Sequence, residues 1–137
     1  MTFDHFLKAQ EGSYESALSE ITRGCKTGHW MWFMFPQLQG LGSSTTAKKY
    51  ALGNLNDAKK YLGHPLLGPR LIQLTKAFAS VENKSARLIL GSPDDLKMKS
   101  SMTLFSLCSN EESIFHKVLQ KFYEGKRCPY TVRHCIM

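Results

Sequence analysis

The polar side chains able to hold or transform a small ligand gather in three blocks of this 137-residue chain. In the first, His29 and Gln37 bracket the run Trp30-Met31-Trp32-Phe33-Met34-Phe35-Pro36. Polar groups beside so dense an aromatic stretch are costly unless they hydrogen-bond each other, water or a ligand. The loop Gly40-Leu41-Gly42-Ser43-Ser44-Thr45-Thr46 follows, with Lys48, Lys49 and Tyr50 beyond it. Its amides and hydroxyls could hold a phosphate or carboxylate, although the spacing is not that of a Walker loop and a glycine turn with a capping Ser44 is the simpler account. In the second block, His64 precedes Pro65, so it presents from a bend, where a structural hydrogen bond is its simpler role. Arg70 could clamp an oxyanion through two parallel hydrogen bonds, and a salt bridge to Asp94 or Asp95 would employ it equally well. The third block supplies Asp95 and Lys97, with Ser100 and Ser101 suited to close helix packing. One polar pocket beside the tryptophans is expected from His29, Trp30, Gln37, Ser44, Tyr50, His64, Arg70, Asp95 and Lys97, with Trp32 in its wall.

Charge is distributed in a way that suits an anionic ligand. From Ile21 to Val81 there are eight basic residues and one acid, Asp57, whereas the rest of the chain has ten of each, so the whole net charge of +7 falls in one stretch. Such a field favours phosphate, nucleotide, nucleic acid or an acidic protein surface, and an ordinary solvated face would look the same. Metal ligation is not expected: Cys25-x3-His29 and the group Cys128, His134 and Cys135 do not have the spacing of a zinc finger or ribbon. No signal peptide is visible in Met1-Thr2-Phe3-Asp4-His5 and no apolar run approaches the ~20 residues of a membrane span. A cytoplasmic protein with reduced cysteines and no membrane partner is therefore expected.

The elements that must position these groups read as helices. Apolar residues recur at helical spacing over Phe3–Leu7, Tyr14–Ile21, Ala47–Ala51, Leu55–Leu62, Leu67–Val81 and Ile114–Phe122. Ser13, Ser44 and Asn54 stand where N-caps belong, and Gly24, Gly53, Gly63, Gly91 and Gly125 where helices end. Ser92-Pro93-Asp94-Asp95 and Ser109-Asn110-Glu111-Glu112 predict two further starts, and the long helix after Pro65 should begin near Pro69. The prediction is all-α: one domain over residues 1–125, with seven or eight helices around the buried segment Trp30–Phe35, whose periodicity fits a short helix or a buried strand and which a chain of helices favours as a short central helix. Residues 126–137, which lack helical period, are expected to be a variable coil.

His29-Trp30-Met31-Trp32-Phe33, then Phe35-Pro36-Gln37, Gly40-Leu41-Gly42 and Ser44, resemble the signature of domain of unknown function 1810. The resemblance continues through Phe6, Leu7, Ala9 and Gln10, through Ala58 to Leu71, and through Gly91 to Phe105. It implies a single multihelical domain and assigns no activity. The residues themselves point to an intracellular domain binding an anionic, nucleotide-like small molecule, without a cofactor, either as a binder or as a hydrolase. A basic nucleic-acid-binding module using Lys48, Lys49, Lys59 and Lys60 is the alternative, disfavoured because the aromatics are not interleaved with the basic residues. A protein-interaction domain is the second.

Overall fold

Residues 2–136 are described by the computed structural model, and among them ten helices and no strand occur. Four helices start where a side-chain oxygen accepts from the amide three residues on, satisfying a donor with no intrahelical partner. These are α4 (Thr45–Lys49) capped by Ser44, α5 (Leu55–Gly63) by Asn54, α7 (Ala86–Leu90) by Ser85 and α9 (Ile114–Tyr123) by Ser113. The others are α1 (Asp4–Glu11), α2 (Tyr14–Thr22), α3 (Met31–Met34), α6 (Leu67–Ala79), α8 (Asp94–Ser106) and α10 (Pro129–Ile136). The all-α reading is correct, with more helices than expected because several are single turns and the tail adds one.

Two predicted starts are displaced. Ser113, rather than the Ser109–Glu112 box, caps α9, and α8 begins at Asp94 with no side-chain cap from Ser92 or Pro93. The helix after Pro65 starts at Leu67, two residues before Pro69, because His64 folds back and its Nδ1 accepts from the amides of Leu66 and Leu67 at 3.1 and 3.2 Å. Replacing His64 with Ala should therefore behave like loss of a cap, destabilising by about 1 kcal/mol in urea denaturation.

The central element is α8, not the tryptophan segment. Its residues from Ser100 to Ser106 are all buried, and it packs against α3, α5, α7, α9 and α10. Such a helix can carry small polar residues because their hydroxyls bond carbonyls one turn back. Ser100 donates to Leu96 O, Thr103 to Lys99 O and Ser106 to Thr103 O. The tail is likewise not coil. Proline is pre-organised for a first helical position, and α10 begins at Pro129 and docks on α8, with Cys128 N donating to Thr103 Oγ1 at 2.9 Å.

The run Trp30–Phe35 is buried on one side only. Trp30, Met31, Met34 and Phe35 face the core, whereas Trp32 and Phe33 are half-buried on the outer side of the turn. Residues 31, 34 and 35 share a helical face by their spacing, and 32 and 33 must then point the other way. Trp32→Ala should consequently destabilise by about 1–2 kcal/mol, well below the ~3–5 of a fully buried aromatic. A denaturant titration of the variant, still cooperatively folded, checks this.

Candidate functional site

The approach to α3 is built by a buried carboxylate. Glu20, near the end of α2, is 7% exposed, and its Oε1 accepts from Thr27 N and Gly28 N at 2.8 Å and from Trp30 Nε1 at 3.0 Å. Burial by itself would raise its pKa, but these donors outweigh it and hold the carboxyl down at about 2. The turn thus fixed seals Trp30 in the core and lifts His29 into solvent, while Trp32 leans out over two adjoining cavities.

The larger cavity is a cleft of about 770 Å³ whose aromatic wall is Trp32, Tyr50 and Tyr130, with Gln37, Gln39, Lys48 and Asp57 as its polar residues. A short extended pairing holds its floor: Leu52 N donates to Gln37 O at 2.9 Å and Gln39 N to Leu52 O at 2.8 Å. The rim loop needs its glycines for close approach. Gly40 has φ +94°, and a Cβ there would run into the Tyr130 hydroxyl, which donates to Gln39 O at 3.0 Å. At Gly42 a Cβ would stand 2.7 Å from both the Trp32 ring and Ala47 Cβ. Gln37 is 5% exposed, yet its Nε2 has no hydrogen-bond partner among the described residues.

The second cavity, about 370 Å³, lies on the other side of Trp32 and is bordered by Lys26, His29, Met31, Ser44, Thr46, Asp94 and Lys97. Asp94 accepts from Lys26 Nζ at 2.8 Å and from Lys97 Nζ at 3.0 Å. Burial works against its charge, but the two ammonium groups prevail and keep its pKa below the ordinary carboxylate value. Lys97 Nζ also sits 4.2 Å from the Trp32 ring centroid, and Lys26 Nζ is 5.1 Å from that of Trp30. Among the described residues, no three His, Cys, Asp or Glu side chains converge to hold a metal ion.

The single pocket expected from the sequence is therefore divided, and part of the expected set lies outside it. Gln37 and Tyr50 line the cleft, whereas His29, Ser44 and Lys97 line the smaller cavity. Trp30 is a core residue bonded to Glu20, and His64 caps α6. Arg70 pairs with neither Asp94 nor Asp95: its guanidinium lies 5.1 Å from the Tyr14 ring centroid and donates to Gln10 Oε1 at 3.4 Å. Gln10 in turn donates to Phe33 O and to the Tyr61 hydroxyl, so Arg70 belongs to a network that ties α6 to α1 and α5. Asp95 lines neither cavity, and its carbonyl accepts from Tyr123 OH at 2.7 Å. Lys26, Asp94 and Tyr130 line the cavities without having been expected there, and Glu20, which holds the turn leading to them, was not expected either. Only Glu20 left a signal in the sequence, three residues after Ala17 on the apolar face of α2.

The family model described as "Protein of unknown function (DUF1810)" matches residues 1–135. The chain is similar to the conserved hypothetical protein Rv1873 from Mycobacterium tuberculosis, whose crystal structure covers 98% of this chain, and is itself covered to 96%, at 44% identity and a TM-score of 0.96. No curated protein matches the chain. The match reaches α10, so the docked final helix lies within the shared fold.

Proposed function

We propose that this chain, which belongs to the DUF1810 family, binds an anionic, nucleotide-like small molecule in the cleft beside Trp32. The observation that carries the reading is Gln37. A buried carboxamide whose N–H group has no partner costs about 1–3 kcal/mol unless a ligand or water supplies one, and of the buried polar atoms without a partner among the described residues (with Asp95 Oδ1, Ser101 Oγ and Thr131 Oγ1) it is the one whose residue lines a cavity at Trp32. Gln37 lines a cavity walled by three aromatic rings, and a carboxamide beside flat apolar walls suits the hydrogen-bonding edge of a planar heterocycle. Lys48 lines the same cleft with a positive charge, opposite in sign to the carboxylate of Asp57.

Thermal shift against nucleosides, nucleotides and sugar phosphates tests the reading. A heterocyclic ligand should raise the Tm of the natural chain. Gln37→Leu removes the orphaned polar group, so it should leave stability equal or higher by about 1 kcal/mol while abolishing that ligand-induced rise. A Gln37→Leu protein that keeps the full shift would overturn the assignment of the cleft. Lys48, Lys49, Lys59 and Lys60 are all exposed, which supports the nucleic-acid alternative to this extent. That alternative requires oligonucleotides to bind more tightly than mononucleotides, with a steep salt dependence lost on reversing those lysines.

A further inference from the structure

The smaller cavity holds more positive charge than it neutralises. Lys26 and Lys97 share the single carboxylate of Asp94, and the three side chains are 8%, 22% and 16% exposed respectively. Charges withdrawn from water in this way act more strongly than surface charges. Each ammonium carries three N–H donors. Lys26 directs them to Asp94 and to Gly28 O at 2.5 Å, whereas Lys97 has Asp94 and the π face of Trp32. The hydroxyls of Ser44 and Thr46 and the imidazole of His29 border the same space. A net-positive ion group surrounded by hydroxyl and imidazole donors has the composition of a site for a tetrahedral oxyanion.

Position adds a second constraint. Trp32 lines both cavities, with the aromatic cleft and Gln37 on one side and the lysine pair on the other. We propose, building on the reading of the cleft as the ligand site, that the smaller cavity is its phosphoryl subsite, so that the protein takes a heterocycle bearing a phosphate monoester. The heterocycle occupies the cleft against Gln37, the phosphate meets Lys97 and Lys26, and the linking sugar-sized segment crosses the edge of Trp32. The loop Gly40–Thr46 contributes the hydroxyl of Ser44 to this subsite, Thr46 stands at its rim without holding the phosphate, and Arg70 takes no part in it.

Calorimetric titration of the full chain with the four common ribonucleosides, their 5′-monophosphates and inorganic phosphate tests the subsite apart from the cleft. At least one monophosphate should bind tenfold or more tightly than its nucleoside. Thr46→Glu, which places a carboxylate at the rim of the smaller cavity on an exposed helix position, should erase that advantage and leave the nucleoside affinity unchanged. Thr46→Gln, of similar size and no charge, should keep it, which separates charge from bulk. Equal affinity for nucleoside and monophosphate, or a Thr46→Glu protein that binds the monophosphate as before, overturns the subsite while the cleft stands. Inorganic phosphate that binds the natural chain but not Thr46→Glu, with no nucleoside or nucleotide binding, supports the subsite and refutes the cleft. No binding of any of these probes overturns both.

Discussion

Glu20→Ala should remove a large share of the domain's stability. Three N–H donors converge on Glu20 Oε1 within 3.0 Å, and removing the acceptor strands the amides of Thr27 and Gly28 and the indole of Trp30 together. Each stranded donor costs about 1–3 kcal/mol, so a loss on the order of 3–5 kcal/mol is expected from a domain whose total is typically about 5–15. The same carboxylate sets an acid transition. Its folded pKa lies below its ordinary value, so the unfolded chain binds the proton more readily and the stabilisation is present above pH 4.5. It is lost as pH falls from about 4.5 towards 2. A depression of that size corresponds to about 3 kcal/mol. Urea titrations at pH 7 and at pH 3 measure it directly. Glu20→Gln, which has no carboxyl to protonate, should start less stable and show a smaller decline over that interval. An unchanged decline would mean that another acid is responsible.

Asp94→Ala should produce the second large effect. It leaves Lys26 and Lys97, both largely withdrawn from water, with no counter-charge; because the group is still partly exposed, the loss should be on the order of 1–3 kcal/mol, below the ~3–5 of a fully buried pair. Asp94 also has its pKa lowered by its partners, so it contributes to the same acid lability with the same sign: stabilisation above its ordinary pKa, lost on acidification. Asp94→Asn removes the charge while keeping the shape. If the smaller cavity is a phosphoryl subsite, inorganic phosphate should restore more stability to this variant than it adds to the natural chain, because the anion replaces the missing negative charge. Thermal melts with and without phosphate, at matched ionic strength, decide the matter. Equal gains in the two proteins would show that Asp94 is a structural ion-pair partner with no bearing on anion affinity.

What the sequence determined by itself was local. Helical spacing of apolar residues, the capping oxygens of Ser44 and Asn54 and the terminating glycines act within a few residues, so α2, α4, α5 and α6 could be read with nearly correct limits. The outward turn of Trp32 was equally present in the i, i+3, i+4 pattern of Met31, Met34 and Phe35, although the aromatic density of the run obscured it. Of the residues expected in one pocket, Gln37 and Tyr50 line the cleft and His29, Ser44 and Lys97 the smaller cavity; the expectation rested on the cost of polar groups near a dense aromatic core, with Tyr50 as an aromatic wall.

Only the tertiary structure decided which of these groups face one another. Asp94 meets Lys26 across 68 positions of sequence, and Tyr130 seats on Gly40 from the far end of the chain, contacts that no local pattern encodes. The tail becomes α10 because the buried hydroxyl of Thr103 and the surface of α8 receive it, not because its own residues propagate a helix. Arg70, whose side chain resembles an anion clamp in the sequence, is claimed instead by Gln10 and Tyr14, since α6 packs against α2 and the guanidinium meets Tyr14 there and reaches Gln10 of α1. Side-chain chemistry was legible wherever burial was, whereas the assignment of partners depends on through-space distance, which is set by how the helices close around α8.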